Sequence, residues 1–167
     1  MKKIGIYYGS SNGTTESVAE RIAAKLGVDA ANVHNAAAAD PSEATGYDLL
    51  VIGSSTWGAG ELQDDMAWFL PKLAGLDLRG KTVALFGCGD SSSFSSTFCD
   101  AIGLMWQMLQ QTGCAFIGAT DASDYTYDSS MAEEGGKFVG LALDEMNEEE
   151  LSDDRIERWC ESIKAEM

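Results

Sequence analysis

The sequence predicts an α/β fold in which a mainly parallel β-sheet is covered by helices on both faces. Four short apolar runs end in Gly or Ser and do not alternate with polar residues, which is typical of strands buried on both faces; they lie at 3–8, 47–53, 82–89 and 114–119. Apolar residues recur at helical spacing between these runs. Strand and helix therefore alternate along the chain, as parallel sheets require.

Each predicted helix has one apolar face. These faces consist of Val18, Ile22, Ala23 and Leu26; of Met66, Phe69, Leu70 and Leu73; of Phe98, Ile102, Met105, Trp106 and Leu109; and of Ile156, Trp159, Cys160 and Ile163. Gly27 and Gly113 follow two of the helices, where a left-handed residue is expected. Ser152 is the predicted N-cap of the last helix, with Leu151 packed against Ile156. The stretch "ANVHNA", residues 31–36, is a weaker strand candidate.

A polar, acidic stretch at 120–150 interrupts the alternation and is too long for a turn. We interpret residues 120–138 as an insertion that splits the last strand, and we expect "KFVGLAL", residues 137–143, to complete the sheet. The length of 167 residues fits one domain, 1–167, with a single insertion.

Composition restricts the partners of the protein. Eleven basic and twenty-seven acidic residues give a formal charge of −16, which argues against nucleic acid and anionic membranes and favours a basic partner surface. The apolar run after the first two lysines is too short for a signal peptide or a membrane span, so the cytoplasm is the expected location. Four cysteines without a CxxC pair, and a single histidine, favour reduced thiols over a disulfide or a metal site.

Three polar loops follow predicted strands and are expected to meet at one edge of the sheet, because ligands of such folds bind at the carboxyl ends of the strands. They read "GSSNGTTE" (9–16), "SSTWGAGELQDD" (54–65) and "GCGDSSSFSS" (87–96). Convergence of three loops predicts a ligand site more strongly than any one of them.

The first loop combines glycines, hydroxyl and amide side chains and the start of a helix, which together can bind phosphate. It lacks the lysine of a GxxxxGK[ST] loop and the pattern of a GxGxxG turn. A single terminal phosphate held by neutral donors is the remaining ligand. The alternative is an ordinary Ser/Thr cap and turn.

The other two loops each carry an aromatic residue. Trp57 is either a lid on the core or a platform for a planar ring. Gly58 and Gly60 have no side chains beside it that would block a ring from stacking on the indole. Gly58 could also switch its peptide orientation at little steric cost. Phe94 is the candidate second wall. Two aromatic walls and a distant phosphate cradle fit a flat heteroaromatic phosphomonoester, which is the shape of FMN.

The sequence resembles the flavodoxin family, specifically its long-chain branch, over essentially the whole chain. The resemblance is carried by five segments that stand in the family's order: "GSSNGTTE", "TWGAGELQDD", "RGKTVALFGCGD", "GKFVGLALDE" and "LSDDRIERW". The resemblance implies a flavodoxin-like doubly wound five-stranded parallel sheet in the order 2-1-3-4-5. Four positions depart from the family pattern: Phe94 replaces the usual Tyr, Asn12 a common Thr, Met66 a typical Trp and Met146 a typical Asp, so a carboxylate contact at 146 is untenable.

The resemblance also implies FMN as the cofactor and assigns residues to it. The phosphate site is implied for Ser10, Ser11, Asn12, Gly13, Thr14 and Thr15, and the flavin loop for Ser54, Ser55, Thr56, Trp57, Gly58, Ala59 and Gly60. The loop on the other side of the flavin ring is implied to comprise Gly87, Cys88, Gly89, Asp90 and Phe94. Asp144 is implied to lie near the ribityl chain of FMN.

The resemblance implies a low-potential one-electron carrier, in which the cofactor supplies the redox chemistry and no catalytic acid, base or nucleophile is needed. Glu61, Asp64, Asp65 and Asp90 are interpreted as surface charges that oppose reduction.

The implied partners are ferredoxin (flavodoxin):NADP reductase or enzymes of the pyruvate:ferredoxin oxidoreductase type, with the protein a monomer. An FMN-dependent NAD(P)H:quinone oxidoreductase is the alternative; a response regulator is discounted, because the corresponding loops lack its acidic residues.

Overall fold

The computed structural model describes residues 2–167. The strands and helices are β1 (Ile4–Gly9), α1 (Thr14–Leu26), β2 (Val33–Asn35), β3 (Leu49–Trp57), β4 (Glu61–Leu62), α2 (Asp64–Ala74), β5 (Thr82–Cys88), α3 (Asp100–Leu109), β6 (Ala115–Ile117), β7 (Thr120–Asp121), β8 (Glu133–Glu134), β9 (Lys137–Phe138), β10 (Leu141–Leu143) and α4 (Glu149–Glu166). All four predicted helices and the weak strand near residue 33 are present.

The central sheet has the parallel order β2-β1-β3-β5, and two short strands share the outer edge of β5. Strand β6 pairs with the first part of β5, Thr82–Ala84, whereas β10 pairs with its last part, Phe86–Cys88. Together β6 and β10 form one interrupted fifth strand. The predicted order 2-1-3-4-5 and the split last strand are therefore confirmed.

The insertion occupies residues 118–140, between β6 and β10, and contains an antiparallel sheet in the order β7-β9-β8. The prediction that 137–143 forms one strand of the main sheet is wrong, since Lys137–Phe138 belongs to the insertion and only Leu141–Leu143 joins β5. The physical reason is Phe138, which is fully buried and packs edge-on against Tyr125 with ring centroids 4.8 Å apart.

Two apolar cores lie on opposite faces of the sheet. Leu50 and Ile52 of β3 face the core formed with α2, α3 and the insertion, whereas Leu49 and Val51 face the core formed with α1 and α4. Successive residues of a strand point to opposite faces. Because both faces are covered, the strands read as continuous apolar runs, and their loops are left at the edge of the sheet.

The helix ends agree in part with the predictions. Gly27 has φ 70° and its N–H donates to Ala23 O, as a left-handed C-terminal residue does; Gly113 has φ 79°. The predicted Ser152 cap is wrong, because α4 begins one turn earlier and Ser152 is buried inside the helix. The earlier start places two glutamates in the first turn, where carboxylates interact favourably with the helix dipole.

The four cysteines are free thiols. Cys88, Cys99 and Cys160 are buried, and Cys114 is half-buried. Burial raises the pKa of Cys88 to about 12 and that of Cys160 to about 11, so these thiols stay protonated and unreactive near neutral pH. Among residues 2–167, no helix is both long enough and apolar enough to span a membrane.

Candidate functional site

A pocket of about 270 Å³ lies at the carboxyl ends of the central strands, where the three polar loops converge. It is lined by Asn12, Thr14, Ser55, Thr56, Trp57, Gly58, Cys88, Gly89, Asp90, Phe94, Thr97, Glu145 and Met146. Ten of these residues are among the candidates predicted from the sequence. The topology explains the convergence, since β1, β3 and β5 are adjacent and parallel.

The first loop folds around the start of α1. Gly13 has φ 88°, a left-handed conformation that favours glycine, and α1 begins at Thr14. The Gly13 N–H donates to Ser10 Oγ at 3.1 Å, and the Thr14 N–H donates to Asn12 Oδ1 at 3.2 Å. The remaining N–H groups of the first helical turn have no acceptor within the helix, so this end of α1 presents donors and a positive dipole to the pocket.

Thr15 lies behind this loop and is fully buried. Its hydroxyl makes no hydrogen bond of ordinary geometry, although it lies near enough to the Cys88 thiol to act against the larger, pKa-raising effect of burial on that thiol. An unsatisfied buried hydroxyl costs about 1–3 kcal/mol. The arrangement therefore fits an acceptor that arrives with a ligand.

The second loop is a hairpin joined to the first loop by Gln63. The side-chain amide of Gln63 donates to Ser11 Oγ at 3.0 Å, while its Oε1 accepts from the Met66 N–H in the first turn of α2. The Gln63 N–H in turn donates to the buried Ser54 hydroxyl at 3.1 Å. Ser54 thus braces the hairpin from beneath and is not part of the pocket lining.

The turn of this hairpin uses two glycines with positive φ, Gly58 at 53° and Gly60 at 94°. Trp57 and Glu61 pair across it, and the Gly60 N–H donates to Trp57 O at 3.2 Å. A Cβ on Gly58 would touch nothing closer than 3.7 Å. Residue 58 therefore requires glycine for its conformation rather than for space.

Two exposed aromatic rings face the pocket. Trp57 is 43% exposed and its indole N–H donates to Ser55 Oγ at 2.7 Å, which fixes the ring plane. Phe94 is 51% exposed. A ring that exposes this much surface is not a lid on the core, so of the two interpretations of Trp57 the structure favours the platform.

The third loop is held by two carboxylates. Asp90 Oδ1 accepts from the N–H groups of Ser92 and Ser93, and these bonds, led by the one from Ser93, together with the Asn147 amide, lower the pKa of Asp90. Asp144 is fully buried and accepts from Ser91 and Asn147. Asp144 therefore braces the loop from below, and it does not line the pocket.

Seven other candidates do not line the pocket. These are Ser10, Ser11, Gly13, Thr15, Ala59, Gly60 and Gly87. Gly87 has a steric role, because a Cβ there would lie 2.7 Å from Ser54 O.

Sequence reasoning missed three lining residues, Thr97, Glu145 and Met146, as contributors to the site. Glu145 accepts from Arg21 Nη1 at 2.6 Å, and its other oxygen is buried without a partner. Met146 is 75% exposed at the mouth. The sequence feature that could have identified Glu145 and Met146 is their position just after β10, which pairs with the end of β5. The lining contains Asp90 and Glu145 but no lysine or arginine.

The fold and the pocket define a class: a doubly wound α/β protein with a mononucleotide site made of a helix N-terminus, an unsatisfied hydroxyl and two aromatic walls. Comparison with known proteins is more specific. The family model described as Flavodoxin matches residues 6–159, and the chain belongs to the flavodoxin family.

Curated relatives and solved structures agree with this assignment. A flavodoxin of Nostoc sp. is 42% identical over 166 residues, covering 99% of this chain and 98% of the relative; flavodoxin 1 of Salmonella typhimurium is 39% identical over 168 residues, covering 100% and 96%. The crystal structure of Fusobacterium nucleatum flavodoxin bound to flavin mononucleotide matches with TM-score 0.92 and 32% identity, covering 100% and 99%. Flavodoxins bind FMN and are electron-transfer proteins, not enzymes.

Proposed function

We propose that this protein binds FMN non-covalently in the pocket and carries single electrons at low potential between redox enzymes. The single observation that carries the proposal is the pocket itself, where a phosphate cradle and two exposed aromatic rings lie within one cavity. The similarity to an FMN-bound flavodoxin at 32% identity supports the same ligand.

The residues present fit FMN. The phosphate would take the hydrogen bond of the orphaned Thr15 hydroxyl and the free N–H groups at the start of α1. We assign this end to Ser10, Ser11, Asn12, Gly13, Thr14 and Thr15. The ring system would lie between Trp57 and Phe94, contacting Ser55, Thr56, Gly58, Ala59, Cys88, Gly89 and Asp90, while Ser54, Gly60, Gly87 and Asp144 support these loops from behind.

Bound FMN supplies the electron-transfer chemistry, and the protein supplies orientation and field. Ser55 fixes the indole of Trp57, so the stacking platform is rigid before the ring arrives. Glycine allows residue 58 to turn its carbonyl oxygen toward the pocket. There the oxygen would accept a hydrogen bond from a protonated ring nitrogen of FMN. Asp90 places negative charge beside the pocket with no lining cation to offset it, which disfavours added electrons; the charge of Glu145 is paired with Arg21.

Replacing Gly58 with alanine is expected to shift the potential of the first one-electron couple of bound FMN by about 40 mV, since alanine adds ~1 kcal/mol of strain to the left-handed conformation at residue 58 and so changes the free energy of the peptide reorientation. The measurement is an anaerobic redox titration. Gly80→Ala is the matched control: Gly80 has φ 82° with open space around it, so this variant loses stability without a shift in potential. An unchanged potential in Gly58→Ala would remove the reorientation from the mechanism.

Neutralising Glu61, Asp64 and Asp65 together, as Gln, Asn and Asn, is expected to make the second one-electron couple less negative by about 60 mV, or ~1.4 kcal/mol, because nearby charge opposes the second electron. The control is Glu20→Gln, Glu134→Gln and Glu161→Gln, which removes the same charge from exposed positions outside the lining. Equal shifts in both triple variants would assign the low potential to net charge rather than to these three carboxylates.

The net charge of −16 supports partners with basic docking faces, such as ferredoxin (flavodoxin):NADP reductase or enzymes of the pyruvate:ferredoxin oxidoreductase type. We further propose a monomer in the cytoplasm, which the four free thiols support. The test mixes the FMN-loaded protein with such a reductase and NADPH in a stopped-flow instrument. Reduction whose rate falls as salt rises supports the proposal; NADPH consumption with a quinone and no reductase would contradict it.

A further inference from the structure

We propose that Asp100 is a positioning residue: its carboxylate couples the insertion to the turn at 58–60 and so holds that turn in the geometry that receives FMN. This role rests on the proposed function. Asp100 is the first residue of α3 and is only 5% exposed. It does not line the pocket, so it acts through its neighbours.

The carboxylate of Asp100 contacts both structures that it would couple. Oδ1 accepts from the Met131 N–H, in the insertion, at 2.8 Å. Oδ2 lies 2.6 Å from the position that a Cβ on Gly60 would occupy, so it packs beside the end of the flavin turn and fills the space of a side chain there. One rigid side chain thus fixes the distance between the insertion and the turn.

The backbone beside Asp100 holds the strand that enters the same turn. The Ala101 N–H donates to Thr56 Oγ1 at 3.1 Å, and Thr56 lines the pocket. Cys99, the residue before Asp100, has φ 52° and is the non-glycine residue with positive φ in the described part of the chain. Such conformations cost about 1–3 kcal/mol and persist where the surroundings over-determine them.

The insertion supports the second aromatic wall in a similar way. The Asp128 N–H donates to Ser95 Oγ at 2.8 Å, and the Ser129 hydroxyl donates to Ser96 O at 2.6 Å. These bonds hold the segment directly after Phe94. The insertion therefore lies behind both pocket walls, and Asp100 is its contact with the wall that carries Trp57.

A buried carboxylate at this position is costly, which argues for a specific role. Desolvation raises the pKa of Asp100, although the bond from Met131 works in the opposite direction. An apolar residue of similar size would avoid the cost but would leave the Met131 N–H without its acceptor in the protein. Hydrogen bonding to the insertion and contact with Gly60 together account for a side chain of this size with an oxygen acceptor here.

The test compares Asp100→Ala and Asp100→Asn in the full chain, with the Kd for FMN and the potential of the first couple as readouts. Asp100→Ala is expected to raise the Kd at least about tenfold and to shift the potential, whereas asparagine keeps the acceptor and the volume and binds within about threefold of wild type. Ser129→Ala removes the hydrogen bond from the insertion to Ser96 O, behind the second aromatic wall. It is expected to raise the Kd about threefold, and it replaces Asp100→Ala in the test if that variant does not fold.

Thr120→Val is the structural control, because it removes the bond from Thr120 Oγ1 to Gly140 O inside the insertion, away from both walls. It is expected to lower the Tm and leave the Kd and potential unchanged. Wild-type values in Asp100→Ala, an asparagine variant as defective as the alanine variant, or a Kd that follows Tm in all variants would each overturn the positioning role. Failure of the wild-type protein to bind FMN would overturn the proposed function as well.

Discussion

Replacing Thr15 with valine is expected to stabilise the apoprotein by about 1 kcal/mol and to weaken FMN binding by about 30-fold. The two effects have opposite signs because the buried hydroxyl has no partner in the protein alone and would gain a charged acceptor with the phosphate. Valine keeps the shape and removes only the donor. Thermal unfolding of the apoprotein and a fluorescence titration with FMN measure the two effects.

Thr112→Val is the matched control for Thr15→Val. Thr112 is also buried, but its hydroxyl donates to Leu109 O at 2.6 Å, and it lies far along the chain from the phosphate loop. Valine there is expected to destabilise the protein by about 1 kcal/mol and to leave the FMN Kd unchanged. If Thr15→Val instead destabilised the apoprotein and kept wild-type affinity, the hydroxyl would be structural and the phosphate would bind elsewhere.

Truncating Trp57 to alanine is expected to weaken FMN binding by about 30-fold, since stacking of a planar ring on an aromatic side chain contributes ~2 kcal/mol. Apoprotein stability should change little, because Trp57 is 43% exposed and covers no core. The Kd comes from the change in flavin fluorescence on binding.

Trp68→Ala provides the comparison. Trp68 is 53% exposed on α2, where Lys72 lies 4.0 Å above its ring, and it does not line the pocket. Its loss removes an equally large exposed indole and is expected to leave the Kd unchanged. An equal loss of affinity in both tryptophan variants would show that the effect is indirect, and the stacking account of Trp57 would fall.

The sequence predicted the fold well where local pattern and tertiary context agree. Apolar runs without alternation indicated strands covered on both faces, and the two cores of the structure follow from them. The pattern failed at 137–143, where Phe138 and Leu141 look alike in sequence but belong to different sheets. Which sheet an apolar residue joins depends on long-range packing, in this case the aromatic cluster around Phe138.

Prediction of the site shows the same division. Loops at strand ends identified most of the lining, because strand order alone brings those ends together. Glu145 was missed because its ion pair with Arg21 joins residues distant in the chain, and the proposed role of Asp100 depends in the same way on a distant partner, Met131. Asp144 accepts hydrogen bonds from Ser91 and Asn147, a role that only the folded loop reveals, and its place near the ribityl chain stays a prediction.

The most direct test of the account is a paired titration of the apoprotein with FMN and with riboflavin, followed by flavin fluorescence. The account predicts one FMN bound per chain with strong quenching, and riboflavin binding at least about 100-fold weaker, since it lacks the phosphate that the α1 N-terminus and Thr15 would hold. Equal affinity for the two flavins would contradict the phosphate cradle. Absence of binding by either would contradict the assignment of the pocket to FMN.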